Sequence, residues 1–370
     1  MTRPLLENTG FELGLFASNC SGGFTPTKAP GRWTGSWEDN LKLAQVADEV
    51  GLDFILPIAR FIGYGGETNF HGGVLDPVAW GSGLLALTQR ISVVATIHTA
   101  FNNPVIAAKQ LVTMDHIGEG RAGINIVAGW NKPEYEALGG TLLDAHDDRY
   151  AQAQEWWDVV RTVWNADGQF DFDGDYYQLK NCEGMPKPVD GDLPVLNAGS
   201  SPQGRSFASR NANFAFTNVV GPEDGAEVVA KIEAEARETY DREVRVLTNS
   251  HVVCRPTEKE AVEFRDWYGD ELADWDAVDN LMGLMGANAQ SFSKEMLATF
   301  RARFAAGHGS QPLIGTPEQI AERLREFSEA GFQGMTLAFF NYHEELPYFA
   351  ENVLPLLDEM GIRPNDRSQL

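Results

Sequence analysis

Between residues 91 and 150 the chain sets Thr96, His98 and Asn125 at or near the ends of two short β-branched runs, 91–97 and 122–127. The second run leads into Gly129-Trp130-Asn131-Lys132-Pro133-Glu134-Tyr135. A hydroxyl, an imidazole and a carboxamide so placed can orient a ligand, move a proton or hold a small molecule by hydrogen bonds. The same groups elsewhere do no more than satisfy backbone polar atoms. The pattern alone leaves these two readings even. The two runs flank an amphipathic segment opening at Pro104, which predicts a strand-helix-strand unit of a parallel sheet, and such units gather function at strand C-termini. His98 follows Thr96 by two residues on an alternating strand, so the two side chains should share one face.

Stepping outward, strands are predicted at 11–17, 53–58, 194–199, 213–219, 245–253 and 334–340. Helices are predicted at 37–50 behind Ser36, at 77–88, 151–164, 226–240 and 346–360, and after the cap Thr316-Pro317-Glu318. Segment 170–179 reads as a β-hairpin turning at Asp173-Gly174. Eight strand-helix units predict an α/β fold, a (β/α)8 TIM barrel. It would fill residues 1–370 as one domain, with insertions at about 18–36, 60–75, 165–193 and a lid-like 255–312 that holds Met282, Met285 and the polar run 286–290.

Three strand ends carry further signals. Asn19-Cys20-Ser21-Gly22-Gly23 follows the first, in a loop whose Phe24, Trp33 and Trp37 would be costly to expose. Ala59-Arg60 and the loop FIGYGGETNFHGG follow the second, and its glycines let backbone approach a flat ligand closely. Ser200-Ser201-Pro202 follows the fifth, where a cap residue before Pro opens a helix. Free N–H groups there suit a phosphate, although a plain N-cap is the simpler reading.

Composition narrows the classes. A net charge of −24 without any basic cluster excludes nucleic acid as a partner, and 43% hydrophobic residues in 370 suffice for a large core. Cys20, Cys182 and Cys254 lie far apart with no metal-type spacing, as expected in a reducing compartment. The first residues lack the basic start and apolar run of a signal peptide, and no stretch nears the roughly 18 apolar residues of a membrane span, so a cytoplasmic protein is expected. Nucleophile-elbow, paired-histidine zinc, P-loop and Rossmann fingerprints are absent, and no metal is expected.

The run GINIVAGWNKPEYEALGG at 123–140, followed by HDDRY at 146–150, resembles the signature of the bacterial luciferase-like flavin monooxygenases. The resemblance is greatest to the branch holding the uracil-cleaving pyrimidine oxygenase and the dimethylsulfone monooxygenase, and it spans about Phe11 to about Gly361. It implies FMN across the C-terminal mouth of the barrel, with the phosphate at Ser200 and Ser201, and Arg149 and Tyr150 helping to hold it. The ring would lie between Ala59-Arg60 and the third and fourth strands, Arg60 offering a cation to its N1–C2 edge and Glu134 a further contact. Thr96 and Asn125 match positions that hold dioxygen in the pyrimidine oxygenase. The implied reaction uses FMNH2 from a separate NAD(P)H:flavin reductase and O2 as cosubstrate, passing through a flavin peroxide, in a homo-oligomer, dimer or tetramer. Phe24, His71, His98, Asn218 and Phe340 are the candidate substrate-side residues. The GYGGETNF loop and the Thr96/Asn125 pair favour a small nitrogen heterocycle of pyrimidine or pyridine type. The 19–23 loop is similar to the dimethylsulfone branch, which keeps a sulfone or alkanesulfonate as the alternative. A deazaflavin (F420)-dependent dehydrogenase on the same barrel is a further alternative, and a cofactor-free binding barrel a remote one.

Overall fold

A computed structural model describes residues 4–7, 10–143, 146–199, 201–286 and 294–363. Its strands, in chain order, are β1 Glu12–Phe16, β2 Phe54–Leu56, β3 Ser92–His98, β4 Ala122–Val127, β5 Phe170–Asp173, β6 Gln178–Cys182, β7 Val195–Asn197, β8 Phe214–Phe216, β9 Arg245–Cys254, β10 Gln311–Gly315 and β11 Gly334–Phe339. β1, β2, β3, β4, β7, β8, β9 and β11 pair in that order and β11 returns to β1, every pairing parallel, which closes an eight-stranded (β/α)8 barrel. β3 is buried along its whole length, as expected of a barrel strand that packs side chains inward and helices outward.

Helix starts follow sequence chemistry. Ser36, Asp76, Asn103, Ser201 and Thr316 each accept a backbone N–H from the first turn, and at the last four the next residue is Pro, already set to a helical φ. Among the described residues no helix is long and apolar enough to cross a membrane.

The structure departs from the sequence reading at the last helix, which is two, Tyr342–Asn352 and Leu354–Glu359, at the hairpin and at an added strand. The hairpin turns over residues 174–177 rather than at Asp173-Gly174, because the Glu155 carboxylate accepts N–H bonds from Asp175, Tyr176 and Tyr177 and fixes a wider turn. β10 is an unexpected strand. It pairs only with β9, so Pro312, which has no N–H to donate, is tolerated at a sheet edge.

β9 is the longest barrel strand, and its two halves do different work. Residues 245–247 close the barrel against β8 and 250–254 pair with β10, while 247–252 pair with β11 on the other edge. Between β9 and β10 the chain folds as the helices Glu258–Asp266, Trp275–Leu284 and Lys294–Gly307 over the C-terminal mouth. The Thr27 hydroxyl donates to Tyr268 O at 2.7 Å, tying the 18–36 loop to this cover.

Candidate active site

At the ends of β2, β3 and β4, one hydrogen-bond chain has its polarity fixed throughout. Pro57 O can only accept, so the Thr96 hydroxyl donates its single hydrogen to it, at 2.6 Å. Thr96 Oγ1 is then left as an acceptor and takes a hydrogen from Asn125 Nδ2 at 3.0 Å. The Asn125 carboxamide is therefore locked, and its Oδ1, buried, has no partner in the protein.

Three imidazoles, those of buried His71 and His98 and of half-buried His308, are polarised in the same way. His98 Nε2 donates to Ala59 O at 3.3 Å and His71 Nε2 to Gly23 O at 2.7 Å, leaving Nδ1 of each without a partner. The His308 ring donates to its own backbone carbonyl and leaves Nε2 free of protein partners. Burial, reinforced by the Arg60 charge, pushes His98 and His308 down to about 4, and burial with the neighbouring His308 also lowers His71. All three are neutral at pH 7 and present a lone pair. His71 and His308 stack at 5.8 Å, and both occupy left-handed backbone, with φ of 58° and 52°. Non-glycine residues rarely adopt that conformation without tertiary packing to hold them there.

Arg60 is buried beside them. Its Nη1 lies 2.9 Å from Glu134 Oε2, and its guanidinium sits 5.1 Å from the centroids of both Tyr64 and Trp130. The cation expected to face a ring edge is thus already countered by a carboxylate. Burial pushes the Cys20 thiol up to about 12, which removes it as a nucleophile.

These groups meet at a cavity of about 210 Å³ in the C-terminal mouth. Of the expected site residues, Phe24, Ala59, Arg60, Thr96, His98, Asn125 and Asn218 line it. His71 lies one layer behind, stacked on Phe70 and His308. Phe340 is not brought to the cavity, because it packs 5.2 Å from Tyr268 and against Phe264 beneath the helical cover. Sequence reasoning missed His308, Phe16, Phe216 and Asn249, while Met285, read as part of the lid-like segment, does reach the cavity. Asn249 carried a readable signal, an amide in the middle of an apolar strand. His308 carried none, since its place depends on contacts with residues more than two hundred positions away.

Beyond Ala198, at the cavity wall, a second group of predicted residues converges. Ser201 Oγ accepts Gly204 N at 3.1 Å as the N-cap of the helix Pro202–Asn211. Tyr150 hydrogen-bonds Ser201, and a Cβ on Gly199 or Gly204 would come within 2.5 or 2.6 Å of its hydroxyl. Those two glycines are what let the phenol and the helix end come together. Arg149 is buried, with Nη1 on Leu143 O at 2.9 Å and Nε unpartnered. Ser200 lies outside the described residues. The main cavity is smaller than the roughly 300–1,000 Å³ that encloses a drug-sized ligand, so a long ligand would have to extend past Ala198 toward this helix end.

A larger cavity, about 550 Å³, opens at the opposite end of the barrel among Asn213, Arg242, Arg245 and Gln333. Strand-end polar groups with unsatisfied atoms converge at the C-terminal mouth instead, and there we place the site. Among the described residues no cluster of His, Cys, Asp or Glu could hold a metal ion.

Comparison with known proteins agrees with the barrel fold. The family described as luciferase-like monooxygenase matches residues 11–334. An FMNH(2)-dependent dimethylsulfone monooxygenase of Pseudomonas fluorescens (strain Pf0-1) is 35% identical over 362 residues, 96% of either chain. A pyrimidine monooxygenase of Acinetobacter baylyi is 29% identical over 352 residues, 94% of either chain. The crystal structure of DmoA from Hyphomicrobium sulfonivorans superposes with a TM-score of 0.85 at 19% identity, covering 95% of this chain and 89% of that one.

Proposed function

The chain belongs to the luciferase-like monooxygenase family, and from that premise we propose that it is an FMNH2-dependent monooxygenase acting on a small nitrogen heterocycle that carries an N–H. The residues fit the cofactor. Ser201 and the N–H groups of its helix, with Arg149 and Tyr150, would hold the phosphate, and Gly199 and Gly204 leave room for the Tyr150 hydroxyl beside the helix end. Ala59, Arg60, Thr96 and Asn125 line the space for the ring, and Glu134 fixes Arg60 beside it. Bound reduced FMN supplies the electrons that let one oxygen atom of O2 reach the substrate while the other leaves as water. The protein's part is to bind, orient and exclude bulk water. The aromatic wall of Phe16, Phe24 and Phe216 supplies an apolar enclosure, and a separate reductase supplies the FMNH2.

The observation that carries the substrate reading is the neutral imidazole lining. His98 and His308 line the cavity as neutral rings, and the nitrogen that each leaves without a protein partner, buried in the unliganded protein, is an acceptor. A ring N–H complements that polarity, whereas a sulfone has oxygens alone to offer. A second reading, a sulfone, is favoured by the 35% identity to a dimethylsulfone monooxygenase. Incubating the protein with a flavin reductase, NADH, 18O2 and panels of heterocycles and sulfones, with products identified by mass spectrometry, decides between them. The expected result is one 18O atom in a heterocycle product, with no NADH consumed when the reductase is left out. Labelled sulfone products would move the assignment to the second reading.

A further inference from the structure

We propose that Asn218 and Asn249 form a two-carboxamide clamp that holds the substrate by an uncharged oxygen, a carbonyl or a sulfonyl, and so sets which substrates the mouth accepts. The proposal rests on the monooxygenase reading above and applies to both of its substrate classes.

Strand register brings the two residues together. β8 and β9 are neighbours in the barrel, Phe216 is paired with Leu247, and Thr217 N donates to Leu247 O at 2.9 Å. Phe216 and Leu247 both pack in the barrel interior. Side chains alternate along a strand, so Asn218 and Asn249, each two residues further on, leave the same inner face on chains roughly 5 Å apart. Both line the cavity, and neither carboxamide has a hydrogen-bond partner among the described residues. Asn218 is exposed, and Asn249, at 5% exposure, has neither its nitrogen nor its oxygen among the sealed atoms of the mouth. Asn125 is different, because its amide is tied to Thr96 and its Oδ1 is sealed. The clamp also faces the space proposed for the ring. β8 is the fourth strand on from β2, and β9 the fourth on from β3, which in a closed eight-stranded barrel is the opposite wall from Ala59, Arg60 and Thr96.

A pair of carboxamides suits an oxygen. A carbonyl oxygen has two lone pairs and can take one N–H from each residue, as can the oxygens of a sulfone, whereas a substrate N–H has a single hydrogen to give and leaves the second amide idle. The pair also suits an oxygen without charge. Amides carry nothing to offset the desolvation of a carboxylate or sulfonate. Arg60 is the sole ionised side chain among the described residues lining the cavity, and its Nη1 is already 2.9 Å from the buried Glu134 carboxylate. Each neutral hydrogen bond of the clamp is worth about two- to tenfold in affinity.

The test measures dissociation constants on the anaerobic FMNH2 complex, where no turnover occurs, by ligand-observed NMR with four probes. 2-Pyridone and dimethylsulfone carry the uncharged oxygen. Pyridine lacks it, and methanesulfonate keeps the outline of dimethylsulfone but adds a negative charge. In the wild type, at least one oxygen probe should bind about tenfold more tightly than its own control. Asn218→Leu and Asn249→Leu, which keep the volume and remove the amide, should each erase about two- to tenfold of that preference while FMNH2 affinity stays within about twofold. Asn249→Gln, which restores a carboxamide, should recover part of what Asn249→Leu loses. A wild type that binds neither oxygen probe better than its control, or a preference that survives both Leu substitutions, overturns the clamp. The wild-type comparison needs no variant and so decides even where a variant fails to fold. Loss of the probe preference with FMNH2 still bound sinks the clamp alone, whereas a wild type that binds no FMNH2 sinks the monooxygenase reading with it.

Discussion

Arg60 and Glu134, 74 positions apart, form a buried ion pair at 2.9 Å, and the second Glu134 oxygen accepts the Phe61 N–H at the same distance. One carboxylate thus pins the loop after β2 to the short helix after β4, the two loops that frame the mouth from opposite sides of β3. The pair has little exposure on either side, so neither charge has water to fall back on.

Glu134→Ala should therefore cost about 3–5 kcal/mol of folding stability, because it strands a buried guanidinium. Urea denaturation of the two proteins measures it. A loss below about 1 kcal/mol would mean that the pair behaves like an exposed one.

Ser201→Ala should weaken FMN more than riboflavin, which lacks the phosphate proposed to sit at the Pro202–Asn211 helix end. The difference between the two ligands should be roughly 1.5–3 kcal/mol, the range for a charge-assisted hydrogen bond. Loss of the cap to Gly204 N also costs about 1 kcal/mol of stability, which affects both ligands alike. Equal weakening of both in parallel titrations would place the phosphate elsewhere.

His98→Ala or His98→Gln should lower substrate oxygenation while FMNH2 binding persists, with the missing turnover appearing as hydrogen peroxide. Peroxide and product are counted together in one reductase-coupled assay. Because His98 also donates to Ala59 O, a variant that loses flavin binding outright would assign it to the scaffold.

His251 provides a pH test away from the mouth. It is buried, its Nδ1 lies 3.0 Å from Ser310 Oγ, and burial followed by the charges of Arg303 and Arg265 pushes it down to about 3. A histidine near 6.5 in the unfolded chain and about 3 in the fold binds its proton more readily when unfolded. Its contribution is complete above about pH 6.5 and declines as the pH falls toward 3, by up to about 1.4 kcal/mol per pH unit. His251→Asn should flatten the fall in stability between pH 6.5 and 4 by about that slope. Parallel curves for variant and wild type would show that His251 does not titrate in this window.

Much of the barrel was legible because parallel strands buried on both faces announce themselves as short β-branched runs, as at Val93, Val94 and Ile97. Thr96, His98 and Asn125 were legible for a related reason, since they interrupt or end such runs. What could not be read was pairing across the chain. Nothing in the sequence joins Arg60 to Glu134 as a neutral pair, or sets His308 against His71. Phe340 shows the converse error. Its position just past a barrel strand suggested the mouth, but the cover contributes Tyr268 and Phe264, whose aromatic faces compete for it.

The handover along β9 has an evolutionary consequence. The chain leaves that strand after Cys254 and comes back at Gln311 beside Ser250, four residues lower, or about 13 Å at the rise of an extended strand. The ends of the excursion are therefore near neighbours, and the closure of β8 on β9 lies below both. The excursion thus enters and leaves the barrel at one point of its rim, and Tyr268 and Asp274 tie it to Thr27 and Thr68 of the loops after β1 and β2. Since it delivers Met285 and His308 to the cavity, a lineage could acquire new substrates by trading this one segment while its cofactor machinery stayed unaltered.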